Sequence, residues 1–322
     1  MHTEELMRLI RELGEVGKPV LVFSGGEPLL RDDIFELARY ANSLGLTTCM
    51  ATNATLMTKE MANEVKASGI KRCAVSLDAP SPDVHDSIRG VKGAFERAVA
   101  GIENLLSCGV EVQINMTLTR TTKPYLKPMH QLARALGAVA LHVFLLVPVG
   151  CGAQLADAEM MTPHECEEAL EELCELMLLG GLQVRATCAP HFYRIASQKG
   201  VVNLLAGQRS SLSSFTRGCL AGTGVCFISQ SGDVMPCGYL PVSAGNIRTQ
   251  SFVEIWHRSK LFEELRDITL LGGKCGACEF KDICYGCRAR AYFATGNMMA
   301  QEPLCAYEPK GFSELLGQEL SV

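Results

Sequence analysis

The cysteines of this 322-residue chain point most directly to chemistry, because eight of the fifteen fall in its last third. The eight are Cys219, Cys226, Cys237, Cys275, Cys278, Cys284, Cys287 and Cys305. In a large chain with reduced thiols, such a cluster binds metal more often than it forms disulfides. Four thiolates would complete a tetrahedral zinc site, and eight could equally hold two four-iron clusters. The cysteines therefore predict a metal-bound domain, and the residues alone leave zinc and iron–sulfur clusters open.

A second set of chemically useful residues follows apolar runs in the first part of the chain. It begins with a Gly-Gly-Glu-Pro turn, whose glycines permit close backbone approach and whose glutamate supplies a hydrogen-bond acceptor. The members of the set are Gly25, Gly26, Glu27, Asn53, Ser76, Asp78 and Asn115. Active-site residues of parallel α/β barrels lie at the carboxyl ends of the strands. The series therefore predicts one ligand site at these ends.

The elements that must position these residues alternate between strands and helices. Apolar and β-branched runs predict strands at residues 19–23, 47–51, 72–77, 111–118 and 140–147, with a further strand-like run at 184–194. Amphipathic runs predict helices at residues 32–44, 59–68, 94–107, 124–136 and 163–179. This alternation predicts an α/β fold with a curved parallel sheet and helices outside it.

The composition changes in the last third of the chain. A stretch rich in serine and glycine, residues 207–214, is typical of a mobile linker. Beyond it, cysteines and short turns replace the long apolar periods. We therefore expect two domains, residues 1–206 and 207–322, the second small and organised by metal.

Composition and charge exclude several classes of protein. A hydrophobic fraction of 48% allows a large core, and a net charge of -5 gives no general attraction to nucleic acid or anionic lipid. The most apolar run, residues 138–149, is shorter than the ~20 residues that cross a bilayer. The first residues are charged and amphipathic, unlike a secretory signal. We therefore expect a cytoplasmic protein with no membrane span and no nucleic-acid partner.

The Gly-Gly-Glu-Pro turn and the polar strand ends resemble the radical S-adenosylmethionine (SAM) superfamily over nearly the whole chain. The resemblance implies a partial (β/α)6 radical SAM barrel with SAM as cofactor. It implies that Gly25, Gly26 and Glu27 contact the methionyl amine of SAM. The residues implied for its ribose and carboxylate are Ser76, Asp78 and Asn115. Ala54 stands where relatives usually have a glycine, which affects only the local turn.

The order and spacing of the eight clustered cysteines resemble the SPASM domain, which follows many radical SAM barrels and holds auxiliary 4Fe-4S clusters. The resemblance implies one cluster on Cys219, Cys226, Cys237 and Cys287, and another on Cys275, Cys278, Cys284 and Cys305. Two residues separate Cys284 from Cys287, where the usual pattern has three. A single cluster with spare thiols therefore stays open.

Within the superfamily, residues 144–150, 186–194, 218–224, 236–241 and 286–292 resemble the haem b synthases of the sirohaem-dependent pathway. Those enzymes convert two propionates of iron-coproporphyrin III into vinyl groups. The resemblance implies an iron-porphyrin substrate and a reducing donor such as ferredoxin or flavodoxin. Arginines near these runs are suited to binding propionates in a bidentate manner, namely Arg185, Arg194, Arg217, Arg288 and Arg290. Cys188 and His191 are the candidates for binding the substrate iron.

Three other functions stay open from the sequence. The first is the 12,18-didecarboxysirohaem deacetylase of the same pathway, and the second is a SPASM enzyme that modifies a peptide. The third is a non-catalytic, metal-bound scaffold. Binding of a porphyrin, of a peptide, or of zinc alone would distinguish them.

The superfamily holds its radical-generating cluster in a CxxxCxxC loop, and the 322 residues contain no such motif. The first cysteine, Cys49, comes after the Gly-Gly-Glu-Pro turn. The opening segment, residues 4–13, resembles the helix that follows the loop. We therefore expect the chain to begin just downstream of the loop, without the first strand of the barrel. We also expect that this chain alone does not cleave SAM reductively.

Overall fold

The computed structural model describes residues 1–201 and 217–310, together with Phe312. The chain forms two compact units. The N-terminal unit comprises Met1–Phe144 and Glu175–Arg185, and the C-terminal unit comprises Leu145–Cys174 and the described residues from Ala186 onward. The predicted linker at 207–214 and the predicted boundary after residue 206 lie outside the described residues, so both stay predictions.

A six-stranded sheet forms the centre of the N-terminal unit, with its strands in sequential order from β1 to β6. The strands are β1 Val20–Phe23, β2 Thr47–Thr52, β3 Arg72–Ser76, β4 Glu111–Leu118, β5 Ala140–Leu145 and β6 Gln183–Thr187. β1 pairs in parallel with β2, β2 with β3, and β3 with β4. The first five predicted strands lie within two residues of these bounds, and the predicted α/β fold is confirmed. β1 is an edge strand, and its Val22 is 49% exposed.

Helices alternate with these strands. They are α1 Thr3–Val16, α2 Ile34–Ser43, α3 Lys59–Ala67, α4 Pro82–Arg89, α5 Ala94–Ser107, α6 Leu126–Leu136, α7 Cys151–Glu159, α8 Pro163–Leu178 and α9 His191–Gln198. All five predicted helices are present within two residues of their predicted ends. Their apolar stripes are buried, as in α1, where Leu9, Ile10 and Leu13 turn inward.

Two parts of the sequence fold differently from the prediction. The run at 184–194 was expected to be a strand throughout, but it forms β6 and then enters α9. The second difference is α4. Pro82 is its first residue and Gly90 ends it in the left-handed conformation, and both residues are common signals of helix ends. His85 is a buried residue of α4, a helix that was not among the predicted elements.

Beyond α9, the described part of the C-terminal unit contains only short elements. A three-stranded antiparallel sheet joins β7 Phe227–Ile228, β8 Asp233–Met235 and β9 Gly245–Asn246. Five helices follow, which are α10 Phe252–Arg258, α11 Lys260–Arg266, α12 Gly273–Ala277, α13 Lys281–Cys284 and α14 Arg288–Thr295. Elements of this length bury little apolar surface each, as expected of a fold that depends on bound metal. Within the described residues, no helix is long and apolar enough to cross a membrane.

Close packing of α5 against the turn after β2 fixes the position of that turn. A methyl group built at Gly101 of α5 would lie 2.3 Å from the carbonyl oxygen of Ala54. Ala54 is wholly buried and has a φ of 57°, a conformation that alanine adopts with strain. There is therefore no room for a side chain at residue 101 between α5 and this turn.

We expect Gly101→Ala to lower the free energy of unfolding by ~1–3 kcal/mol, because the methyl group overpacks the contact with backbone. Gly14→Ala is the matched control, because no atom lies within 4 Å of a methyl group at this position in α1. The control should raise stability by ~0.5–1 kcal/mol through a better helix propensity. Denaturant unfolding followed by circular dichroism measures both. Equal effects of the two substitutions would contradict the packing described here.

Candidate functional site

Glu27 connects the end of β1 to the end of β2. Its Oε1 accepts hydrogen bonds from Thr52 Oγ1 at 2.7 Å and from Leu29 N at 3.2 Å. Its Oε2 accepts one from Asn53 N at 2.9 Å. A carboxylate offers about four acceptor positions, so protein donors leave capacity for one more. Glu27 thus holds the turn in place and can still accept a hydrogen bond from a ligand amine.

The two glycines before Glu27 leave the backbone of the turn open. Gly25 has a φ of 142°, which favours glycine, and both residues are exposed. A methyl group built at either Gly25 or Gly26 would meet no atom within 4 Å. A ligand can therefore approach the main chain here, as the predicted amine contact requires.

Ser76, the last residue of β3, lies opposite Asn115, which is within β4. Both side chains are half-buried, and Asn115 Oδ1 accepts a hydrogen bond from Gln113 Nε2 at 2.7 Å. The structure thus brings these two predicted cofactor residues together at one edge of the sheet. Direct contact with SAM stays a prediction for both.

Asp78, the third residue predicted for this part of SAM, is engaged by the protein. It is only 1% exposed, and its Oδ1 accepts from Thr117 N at 2.9 Å. Its Oδ2 forms an ion pair with Arg89 Nη2 at 2.7 Å, and its backbone N donates to His85 Nδ1 at 3.2 Å. Asp78 therefore ties together β3, β4 and α4, a role that positions the residues around it.

Four thiols of the C-terminal unit line one cavity. They are Cys275, Cys278, Cys284 and Cys305, the set that the sequence resemblance assigns to one cluster. We call this space the four-thiol cavity. Two backbone groups already donate to its sulfurs, Glu302 N to Cys275 at 3.2 Å and Phe280 N to Cys278 at 3.4 Å.

The thiols of the four-thiol cavity must be deprotonated to bind metal, whether as one zinc ion or as a cluster. Burial raises the pKa of Cys284 and of Cys305, so loading of the cavity must release protons.

A second group of thiols surrounds Cys188. Burial raises the pKa of Cys188 well above its usual value, and the nearby thiols of Cys287, Cys237 and Cys219 raise it further. For Cys226, burial is the cause that raises the pKa, to about 11. The structure thus places Cys188 beside three of the thiols predicted for the other cluster. Among the described thiols, none exerts a comparable effect on Cys226.

His191, predicted to bind substrate iron, lines the four-thiol cavity instead of an open surface. It is fully buried, and neither ring nitrogen has a hydrogen-bond partner among the described residues. Burial lowers its pKa well below the usual value, so the ring is neutral. Its unpaired nitrogens support the presence of a bound group in the cavity, because buried polar atoms are normally satisfied.

The arginines predicted to bind propionates have partners within the protein. Arg290 donates to the Cys188 carbonyl at 2.8 and 2.5 Å and lies 3.5 Å from Glu302 Oε1. Arg217 donates to the Cys219 carbonyl at 3.2 Å and lies over the ring of Tyr285. Three others, Arg185, Arg194 and Arg288, are buried.

Comparison with known proteins identifies the two units. The model of the radical SAM superfamily matches residues 1–130, and the SPASM iron–sulfur cluster-binding domain matches residues 219–299. The crystal structure of Streptococcus suis SuiB bound to S-adenosylmethionine has a TM-score of 0.72 and 18% identity. The match covers 94% of this chain and 70% of the SuiB chain, which supports the fold.

Two relatives are similar over nearly the whole chain. A protein of Oleidesulfovibrio alaskensis described as AdoMet-dependent heme synthase is 45% identical, over 96% of this chain and 80% of the relative. A Methanosarcina barkeri protein described as Fe-coproporphyrin III synthase is 30% identical, over 95% of this chain and 80% of the relative. SAM and 4Fe-4S clusters are the cofactors of this group. The chain belongs to the radical SAM superfamily, among the members that carry a SPASM iron–sulfur domain.

Proposed function

We propose that this chain carries the barrel and auxiliary-cluster functions of a haem synthase that acts on iron-coproporphyrin III. The observation that carries the proposal is the 45% identity to an AdoMet-dependent heme synthase over 96% of the chain. The Fe-coproporphyrin III synthase, which supports the deacetylase alternative, is 30% identical over a similar length. The difference favours the decarboxylation of two propionates to vinyl groups.

The proposed reaction defines what the chain must bind. A propionate loses one hydrogen atom from its β-carbon and then carbon dioxide, which leaves a vinyl group and one electron to be removed. When bound, SAM supplies the 5′-deoxyadenosyl radical and the clusters transfer single electrons. We propose that ferredoxin or flavodoxin supplies reducing electrons to the enzyme.

The residues of the N-terminal unit fit the proposed SAM site. We propose that the open backbone at Gly25 and Gly26, together with Glu27, binds the methionyl amine. Ser76 and Asn115 are the proposed contacts of the ribose and carboxylate. Asp78 is proposed to act through them, because both of its oxygens are engaged by Thr117 and Arg89.

The residues of the C-terminal unit fit two clusters. We propose that the four-thiol cavity holds one cluster on Cys275, Cys278, Cys284 and Cys305. Cys219, Cys237 and Cys287 are the proposed ligands of the other. The fourth ligand is Cys226, as the sequence spacing favours, or Cys188, as its proximity to the other three favours.

Substrate binding is tested by adding iron-coproporphyrin III to the anaerobically purified chain and following the Soret band. We expect a saturable shift, with 12,18-didecarboxysirohaem as the competitor that tests the deacetylase alternative. Metal-free coproporphyrin III serves as the control for iron ligation by Cys188 or His191. Preferential binding of didecarboxysirohaem would favour the deacetylase, and binding of a precursor peptide alone would favour peptide modification. If no porphyrin and no peptide binds, and the purified protein contains zinc, the result would favour the scaffold.

Cluster binding is tested by replacing single cysteines. We expect Cys278→Ala or Cys284→Ala to remove iron and acid-labile sulfide from the four-thiol cavity and to destabilise the unit, because cluster binding contributes to folding. Cys174→Ala is the matched control, since Cys174 is buried among apolar residues of α8 and belongs to neither group of thiols. Stoichiometric zinc without sulfide after reconstitution would contradict the assignment.

The absence of CxxxCxxC from the 322 residues generates a separate expectation. This chain with SAM and dithionite should form no 5′-deoxyadenosine above a control without protein, because no three cysteines have the spacing of the radical-generating loop. Joining a segment that carries the motif to residue 1 should restore 5′-deoxyadenosine and haem b formation. Product from the 322-residue chain alone, measured by liquid chromatography, would refute the expectation.

A further inference from the structure

Two buried guanidinium groups donate hydrogen bonds to sulfurs of the four-thiol cavity. Arg194 Nη2 lies 3.9 Å from Cys305 Sγ, and Arg288 Nη2 lies 3.8 Å from Cys275 Sγ. Arg194 is 2% exposed and Arg288 is fully buried. The two arginines therefore act on two of the four thiols in an environment where water screens charge poorly.

The two charges are balanced differently. Arg194 makes a bidentate pair with Glu167, through Nη1 at 2.6 Å and Nη2 at 2.5 Å, so its charge is largely neutralised. Arg288 donates to the neutral carbonyls of Gly286, Met298 and Ala300. Among the described residues, no carboxylate lies within ion-pair distance of Arg288.

A buried cation without an anion is costly, so Arg288 needs a negative group nearby. The thiolates and the cluster that they hold provide one. A cluster on four thiolates is net anionic, and it becomes more negative when it takes up one electron. Cations and hydrogen-bond donors at its sulfurs therefore favour the reduced form over the oxidised form.

We propose that Arg194 and Arg288 raise the reduction potential of the cluster in the four-thiol cavity, with Glu167 limiting the effect of Arg194. The inference rests on the proposed function only in that Cys275, Cys278, Cys284 and Cys305 hold a cluster. Reduction adds one electron and neither forms nor breaks a bond. A raised potential suits this cluster to take up the electron that remains when a propionate becomes a vinyl group. It also assigns Arg194 and Arg288 a role apart from substrate propionates.

The test is a redox titration of the anaerobically reconstituted chain with dithionite, followed by electron paramagnetic resonance. A Cys237→Ser background removes a proposed ligand of the other cluster and so isolates the signal of interest. The variants are Arg194→Met, which removes the cation, Arg194→Lys, which keeps the charge, and Glu167→Gln, which removes the counter-charge. Lys260→Met is the control, because the side chain of Lys260 is 90% exposed.

We expect Arg194→Met to lower the ratio of reduced to oxidised cluster at a fixed potential at least tenfold, which is about 59 mV for one electron. Glu167→Gln should shift the potential in the opposite direction, Arg194→Lys should fall between wild type and Arg194→Met, and Lys260→Met should cause no shift. A purely structural role would not produce shifts of opposite sign from the two partners of one ion pair.

Three outcomes would overturn the inference. In the first, Arg194→Met and Glu167→Gln retain iron and sulfide but keep the wild-type potential. In the second, both variants shift the potential in the same direction. If Arg194→Met loses the cluster, the result for Glu167→Gln decides the question. The third outcome is then a reduction potential of the Glu167→Gln variant that is not higher than that of the wild type. A wild-type chain without any cluster signal would instead refute the cluster assignment in the proposed function.

Discussion

The meeting of four thiols at one cavity is the constraint on which the C-terminal unit depends. Its described helices from α10 onward contain at most eight residues, and its described strands at most three, so apolar burial gives each element little stability. The unit also buries the charges of Arg194, Arg288 and Arg290. Thiolates that share a cluster would offset the charge of Arg288, which has no carboxylate partner among the described residues, and would join α12, α13 and the segment around Cys305. We therefore expect metal binding and folding to be coupled in this unit.

Carboxylates have the corresponding role in the N-terminal unit. Glu27 links the ends of β1 and β2, and Asp78 links β3, β4 and α4. Glu27 binds main-chain N–H groups beyond the ends of β1 and β2, and Asp78 binds the N–H of Thr117 within β4. These interactions hold the turn after β1 and the segment after β3, next to Gly25 and Ser76. The proposed cofactor site therefore lies among segments that the sheet and two acidic side chains hold in place.

Sequence periodicity was sufficient to predict most of the sheet and its helices, because the strands are short apolar runs and each helix has one buried stripe. It failed at residues 184–194, where a largely apolar run looks the same as strand or buried helix until Pro190 is recognised as the N-cap of α9. The resemblance to the SPASM domain grouped the four cysteines that line one cavity, and their binding of a cluster stays a prediction. It did not predict the proximity of Cys188, which comes from a different part of the chain. Nor did it identify Glu167 or Glu302, because acidic residues on a helix or in a turn carry no signal of burial beside arginine.

The central claim is that the four-thiol cavity holds an iron–sulfur cluster on Cys275, Cys278, Cys284 and Cys305. Anomalous X-ray diffraction from crystals of the anaerobically prepared chain, collected at the iron and zinc absorption edges, tests it most directly. We expect a compact anomalous peak just above the iron edge, centred among the four sulfurs, which is lost just below the iron edge and does not grow across the zinc edge. A single peak that appears only above the zinc edge, or no metal among these sulfurs in protein reconstituted with iron and sulfide, would contradict it.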